Sequence, residues 1–168
     1  MKKLHVGLGK NSYDIMIGEN FFEEFPKYIG EVYSGKKLFV ITDSNVHEIY
    51  EEKYKEMFKG FNYSIFVLQA GEKHKHIGIM PSIYSAMVNE GLTRKDMVVA
   101  FGGGVVGDIA GFAAASYMRG IGFIQIPTTI VSQVDSSVGG KVGVDLPEGK
   151  NLVGAFHQPK LVLIDNYF

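Results

Sequence analysis

Met97–Arg119 reads MVVAFGGGVVGDIAGFAAASYMR, an apolar, β-branched run that breaks into three glycines and resumes as a small-residue segment with helical spacing. The pattern predicts a buried strand over MVVAF and a helix over Val105 to Tyr117, with residues 102–104 as the bare turn between them. Such a turn lets an anion approach main-chain amides, and the dipole of the following helix favours negative charge there. Gly102, Gly104 and Gly107 complete a G-x-G-x-x-G spacing, so a nucleotide phosphate is the natural guest. The acidic residue about twenty positions further on that normally holds a ribose is missing, because residues 119–134 contain no Asp or Glu. A second reading of the same glycines is purely structural. Gly103, Gly107 and Gly111, backed by Ala110 and Ala114, form a small-residue stripe that lets a helix lie close against a sheet.

Working outward, KLFVIT, SIFVLQ, FIQIP and LVLID repeat the short apolar pattern, and segments with helical spacing separate them around Val46 to Phe58 and Ile77 to Asn89. Strands that are apolar on both faces and alternate with helices predict an α/β fold. The expected form is Rossmann-like, a mainly parallel sheet with helices on both faces. KLHVGL and YDIMIG alternate instead, and the four residues Gly9 to Ser12 between them predict an added N-terminal β-hairpin. Right-handed crossovers then gather the loops after the strand carboxyl ends at one rim, so Asp43, Glu72, Gly103 and Thr128 are expected to converge there.

The chain has 168 residues, enough for one core, and residues 1–168 are expected to form one domain. A net charge of −1 gives no basic field of the kind nucleic acids need. There is no Cys for a disulfide framework or a thiolate metal site. The apolar residues after Met1-Lys2-Lys3 alternate, unlike a signal peptide, and no run reaches the length of a membrane span. Neither nucleic acid nor membrane is an expected partner, and the cytoplasm is the expected compartment.

Further blocks follow in order: TDSN at Thr42–Asn45, GEKHK at Gly71–Lys75, PTT at Pro127–Thr129, VDSSVGGK at Val134–Lys141 and GKNLVGAFHQP at Gly149–Pro159. With the glycine turn they resemble the dehydroquinate synthase family of sugar-phosphate cyclases, specifically its N-terminal, nucleotide-binding half, from about Asp43 to Phe168. Deoxy-inosose synthases share much of this pattern. Glycerol dehydrogenases and iron-dependent alcohol dehydrogenases share only the glycine turn and the PTT step.

The resemblance implies that Asp43, Asn45, Glu72 and Lys75 contact the adenosine side of NAD. It implies that Gly103, Gly104, Val105 and Asp108 surround the pyrophosphate and nearby ribose, and that Thr128, Thr129 and Lys150 complete the cofactor shell. Asp135, Lys141 and Asn151 would bind a sugar-acid phosphate substrate, and Arg119 its phosphate, reaching in from the second subunit of a homodimer. The implied reaction converts 3-deoxy-D-arabino-heptulosonate 7-phosphate to 3-dehydroquinate plus phosphate, in the shikimate pathway of aromatic amino acid biosynthesis. A divalent metal, zinc or cobalt, belongs by resemblance to a helical C-terminal half whose ligands lie beyond Phe168. The isolated chain is therefore expected to be inactive.

Simpler readings stand beside several of these. Asp43 suits a helix N-cap. Thr128 and Thr129 suit a helix start. Lys141 and Lys150 could be solvated charges. His74 and His76 are spaced for a strand or loop and not for one helix face, and they are read as surface residues. The Gly-rich stretch Val134 to Asn151 is expected to be a mobile loop over the site.

Overall fold

A computed structural model describes residues 1–35 and 37–168. β1 (Lys2–Val6) and β2 (Tyr13–Gly18) form the expected antiparallel hairpin. Parallel strands β3 (Lys37–Asp43), β4 (Asn62–Leu68), β5 (Met97–Gly102), β6 (Gly122–Pro127) and, further on, β9 (Leu161–Asp165) build the sheet. Its order is β1-β2-β9-β6-β5-β3-β4, with β1 as the sole antiparallel member among the described residues. The fold is α/β and Rossmann-like, as the apolar runs predict.

Alternate residues of each strand face opposite layers, as strand geometry requires. Leu38, Val40, Val99, Phe101, Ile124 and Ile126 meet Phe25, Ile29, Tyr54 and Met57 on one side. These last belong to α1 (Phe25–Val32) and α3 (Tyr54–Met57). Phe39, Ile41, Val98, Ala100 and Phe123 meet Met80, Ile83, Ile109, Ala110 and Ala113 on the other, from α4 (Met80–Asn89) and α5 (Gly104–Ser116). α1 is absent from the sequence reading. The helix read over Val46 to Phe58 is α2 (Ser44–Tyr50), a 3₁₀ turn at Glu51–Lys53, and α3. The break at Tyr50 lets Tyr50 and Tyr54 both pack on the Phe101 ring.

The expected mobile loop is instead largely a β-hairpin, β7 (Lys141–Leu146) with β8 (Gly149–Phe156). Val142 and Val144 are buried against α5. Composition misled here, because Gly143 and Gly154 face each other across the two strands, and a Cβ on either would strike the opposite main chain. The glycines allow close strand pairing and do not signal disorder. Outside the strands lie only the Pro147-Glu148 turn and Val134 to Gly140, the latter overlapping a π-helical turn, Ser132–Ser136.

Helix α5 is thus covered on two sides. A Cβ at Gly107 would lie 2.8 Å from Gln125 Oε1, and one at Gly111 would overlap Val142 Cγ1. Asp165, fully buried at the end of β9, accepts from the amides of Asn20 (2.6 Å), Phe21 (2.7 Å) and Tyr167 (3.0 Å), tying the last strand to the segment before α1.

Two alanine substitutions separate the causes of helix stability. Gly30 in α1 has open space around it, so Gly30→Ala raises stability by roughly 0.5–1 kcal/mol through backbone entropy. Gly111→Ala lowers it by about 1–3 kcal/mol, because the stiff Val142 side chain cannot turn away. Urea unfolding of the two variants checks the opposite signs.

Candidate functional site

Strands β3, β5 and β6 run parallel, so their carboxyl ends share one rim. There a cleft of about 400 Å³ is lined by Asp43, Asn45, Gly71, Gly103, Gly104, Val105, Thr128 and Thr129 among others. Gly103 is the N-cap of α5, and no side chain caps that helix. The first amides of a helix have no intrahelical acceptor, so this end is an open set of donors at the positive pole of the dipole. Asp43 caps α2, accepting from Asn45 N (2.9 Å) and Val46 N (3.1 Å) through Oδ1. Thr129 starts the next helical segment, its Oγ1 accepting from Ser132 N (3.2 Å) while Thr129 N donates to Ser132 Oγ (3.0 Å). The simpler readings of Asp43 and Thr129 are therefore correct as structure, and both residues still line the cleft.

A second cleft, of about 530 Å³, lies between α5 and the hairpin. Asp108, Asp135, Ser136, Lys141, Asn151 and Phe156 are among its lining residues. Three of the four residues assigned to substrate come together here: Asp135, Lys141 and Asn151. Arg119 does not. It lies past the far end of α5, eleven residues on from Asp108, and is not among the lining residues. It is exposed and holds a left-handed φ of 69°, as Met118 does at 50°.

Lys75 lines neither of these clefts but a third, of about 410 Å³, with Glu72, Asp145 and Lys150. Its side chain is 6% exposed, and Nζ pairs with Asp108 Oδ2 at 2.5 Å and donates to Asn151 Oδ1 at 2.7 Å. Glu72 also turns away from the Asp43 cleft, pairing with Lys150 at 3.0 Å across solvent. That exposed pair links the Glu72 turn to strand β8 and adds little stability. Asp108 likewise lines the second cleft, not the first. Burial pushes its carboxyl above the usual range, with Lys75 pulling the other way.

Asp145, which the sequence reading passes over, belongs to this group. Its Oδ1 accepts from Asn151 N at 2.7 Å, and its own amide donates to the Lys75 carbonyl at 2.8 Å. The Pro147-Glu148 turn just after it was the available signal. His76 pairs with Asp145 in an isolated bridge, and His74 Nε2 is buried. Among the described residues no group of three or more His, Cys, Asp or Glu could hold a metal ion. Nor is any helix among them long and apolar enough to cross a membrane.

The raised Asp108 value sets a sign. The folded state binds this proton more tightly than the unfolded chain, so the associated stability is complete at low pH and is lost as pH rises through the raised value. Removing the Lys75 charge should move the midpoint further up. Carbon-detected NMR titration of the Asp108 carboxyl in Lys75→Met should show that upward move, and a downward move would contradict the geometry.

Residues 65–168 match the family described as 3-dehydroquinate synthase N-terminal. A 3-dehydroquinate synthase of Clostridium acetobutylicum is 52% identical over 170 residues, covering 100% of this chain and 48% of that protein. The chain spans about half the length of the curated relatives it matches. Among solved structures, 2-deoxy-scyllo-inosose synthase complexed with carbaglucose-6-phosphate, NAD+ and Co2+ superposes with a TM-score of 0.89 at 30% identity, over 98% of this chain and 46% of that one. A 2-epi-5-epi-valiolone synthase from Streptomyces hygroscopicus, with NAD+ and Zn2+ bound, gives 0.82 at 30% identity, over 95% and 44%. With the match covering well over half its length, the chain belongs to the 3-dehydroquinate synthase family and corresponds to its N-terminal domain.

Proposed function

We propose that this chain is the NAD-binding half of a 3-dehydroquinate synthase, acting within a longer protein on 3-deoxy-D-arabino-heptulosonate 7-phosphate. The carrying observation is the uncapped start of α5 opening onto the cleft that Asp43, Thr128 and Thr129 share. Amides at Gly104 and Val105 suit a diphosphate, and Asp43 and Asn45 suit hydroxyls or a purine edge. NAD bound there would supply a hydride acceptor that later returns the hydride, and the net reaction is elimination of phosphate with ring closure.

The chain's own residues divide the remaining work. Lys141 offers a point charge to a carboxylate or phosphate, Asp135 accepts from substrate hydroxyls, and Asn151 orients the sugar acid. Asp108, held by Lys75, keeps one carboxyl on the wall of the second cleft. Arg119 fits phosphate through its planar fork, but only when it is supplied by the partner of a homodimer. The donor set for zinc or cobalt does not exist among the described residues, and in this reading it comes from the remaining half of the protein. Phe156 is 85% exposed at the second cleft, and Ile130, Val131 and Val134 are exposed on the segment carrying Asp135, an apolar surface suited to that half. The 52% identity to a 3-dehydroquinate synthase, against 30% to the inosose synthase structure, favours the first substrate over the second.

Calorimetric titration tests the cofactor site. NAD should bind the 168-residue chain weakly, and Gly104→Val should abolish the heat, since a side chain there would meet Ser136 and fill the approach. A flat trace for the unmodified chain at millimolar NAD would defeat the reading. With substrate, NAD and added zinc or cobalt, the isolated chain should release no phosphate above background. In the full-length protein, Arg119→Ala should raise the substrate KM by roughly tenfold or more through loss of a charged phosphate contact.

A further inference from the structure

Asn151 is one of four non-glycine residues with positive φ among the described residues, at 56°. Such a conformation persists only where surroundings hold it. Its amide donates to Asp145 Oδ1 at 2.7 Å and its Oδ1 accepts from Lys75 Nζ at 2.7 Å. Asp145 is itself fixed through its main chain, because its amide donates to the Lys75 carbonyl at 2.8 Å within a parallel backbone β-bridge to His76.

An ammonium only donates, so the Lys75 contact takes up the carbonyl oxygen of the Asn151 carboxamide. What remains for the cleft is the NH2 end, a donor for a hydroxyl, carboxylate or phosphate oxygen of the substrate. We propose that Asp145 is a positioning residue: by accepting from the Asn151 amide it holds the left-handed backbone that aims this NH2 into the substrate cleft. This rests on the substrate reading of that cleft given above. Asp145 touches no substrate in this scheme and acts through Asn151. The bonds from the Asp145 amide to the Lys75 carbonyl and from Lys75 Nζ to Asn151 Oδ1 clamp the hairpin to the Glu72–Lys75 loop, so the hairpin residue and the nucleotide-side loop keep one relative position.

The test uses the full-length protein and five forms: unmodified, Asp145→Ala, Asp145→Asn, Asn151→Ala and the Asp145→Ala/Asn151→Ala double variant. Asp145→Ala should raise substrate KM roughly tenfold or more, as expected for a misaimed contact, with NAD affinity in the absence of substrate nearly unchanged. Asp145→Asn keeps an oxygen acceptor and should stay within about threefold of the unmodified protein. The Asp145→Ala/Asn151→Ala double variant should be no worse than Asn151→Ala, since both remove one contact. Additive losses, an Asn variant as damaged as the Ala variant, or a KM change that follows the melting temperature would overturn the proposal. Hydrogen exchange over residues 149–156 gives a readout independent of turnover: Asp145→Ala should expose the Asn151 amide, and unchanged protection would also overturn it. If the unmodified protein neither turns over nor binds NAD, the functional reading fails, while the exchange result still judges the clamp.

Discussion

The close fit of α5 between the sheet and the second hairpin is the constraint from which the rest follows. Gly107 admits the Gln125 side chain of β6, and Gly111 admits Val142 of β7, so the helix axis is set from both sides. With the axis set, the Gly103–Val105 amides face the rim of the sheet and Asp108, one turn on, faces the hairpin. A single helix thereby borders both clefts, and their separation is fixed by its pitch. The structural reading of the glycine stripe holds in the packing of this helix, and the proposed anion site concerns the glycine turn before it. They apply to different residues, Gly107 and Gly111 for packing, Gly103 and Gly104 for the open turn.

Electrostatics at the junction work in the same direction. Lys75 is a cation taken almost wholly out of water, and such a group persists only with partners. Asp108 and Asn151 supply them from two different elements, α5 and β8. Removing Asp108 would leave the ammonium without a counter-charge, and removing Asn151 would leave one of its hydrogens without an acceptor, so the meeting of α5 and β8 resists piecemeal change.

Much of this was legible in the sequence. The strand runs and the N-terminal hairpin follow from apolar periodicity, and the convergence of Asp43, Gly103 and Thr128 follows from parallel topology. Three things were not. α1 begins at an aromatic cluster with Pro26 in its first turn, and its buried face of Phe25, Tyr28 and Ile29 is too short to give a clear period. β7 and β8 were hidden by glycines whose purpose is cross-strand contact, although Val142 and Val144 alternate as strand residues do. The positions of Lys75 and Glu72 could not be read either. Both follow β4 as expected, yet their side chains answer to the hairpin, and pairing between distant segments leaves no mark on local pattern.

The sheet order carries a consequence for how the polypeptide is made. β2 lies beside β9, and Asp165 holds the amides of Asn20 and Phe21, so the first hairpin gains its lasting neighbour only after some 145 further residues exist. During ribosomal synthesis that hairpin must wait beside a half-built sheet whose open edge, later filled by β9, is unprotected. Closure by the last strand is a long-range event of the slow kind, and a nascent chain stalled before Leu161 would present two pairing edges prone to association with other chains.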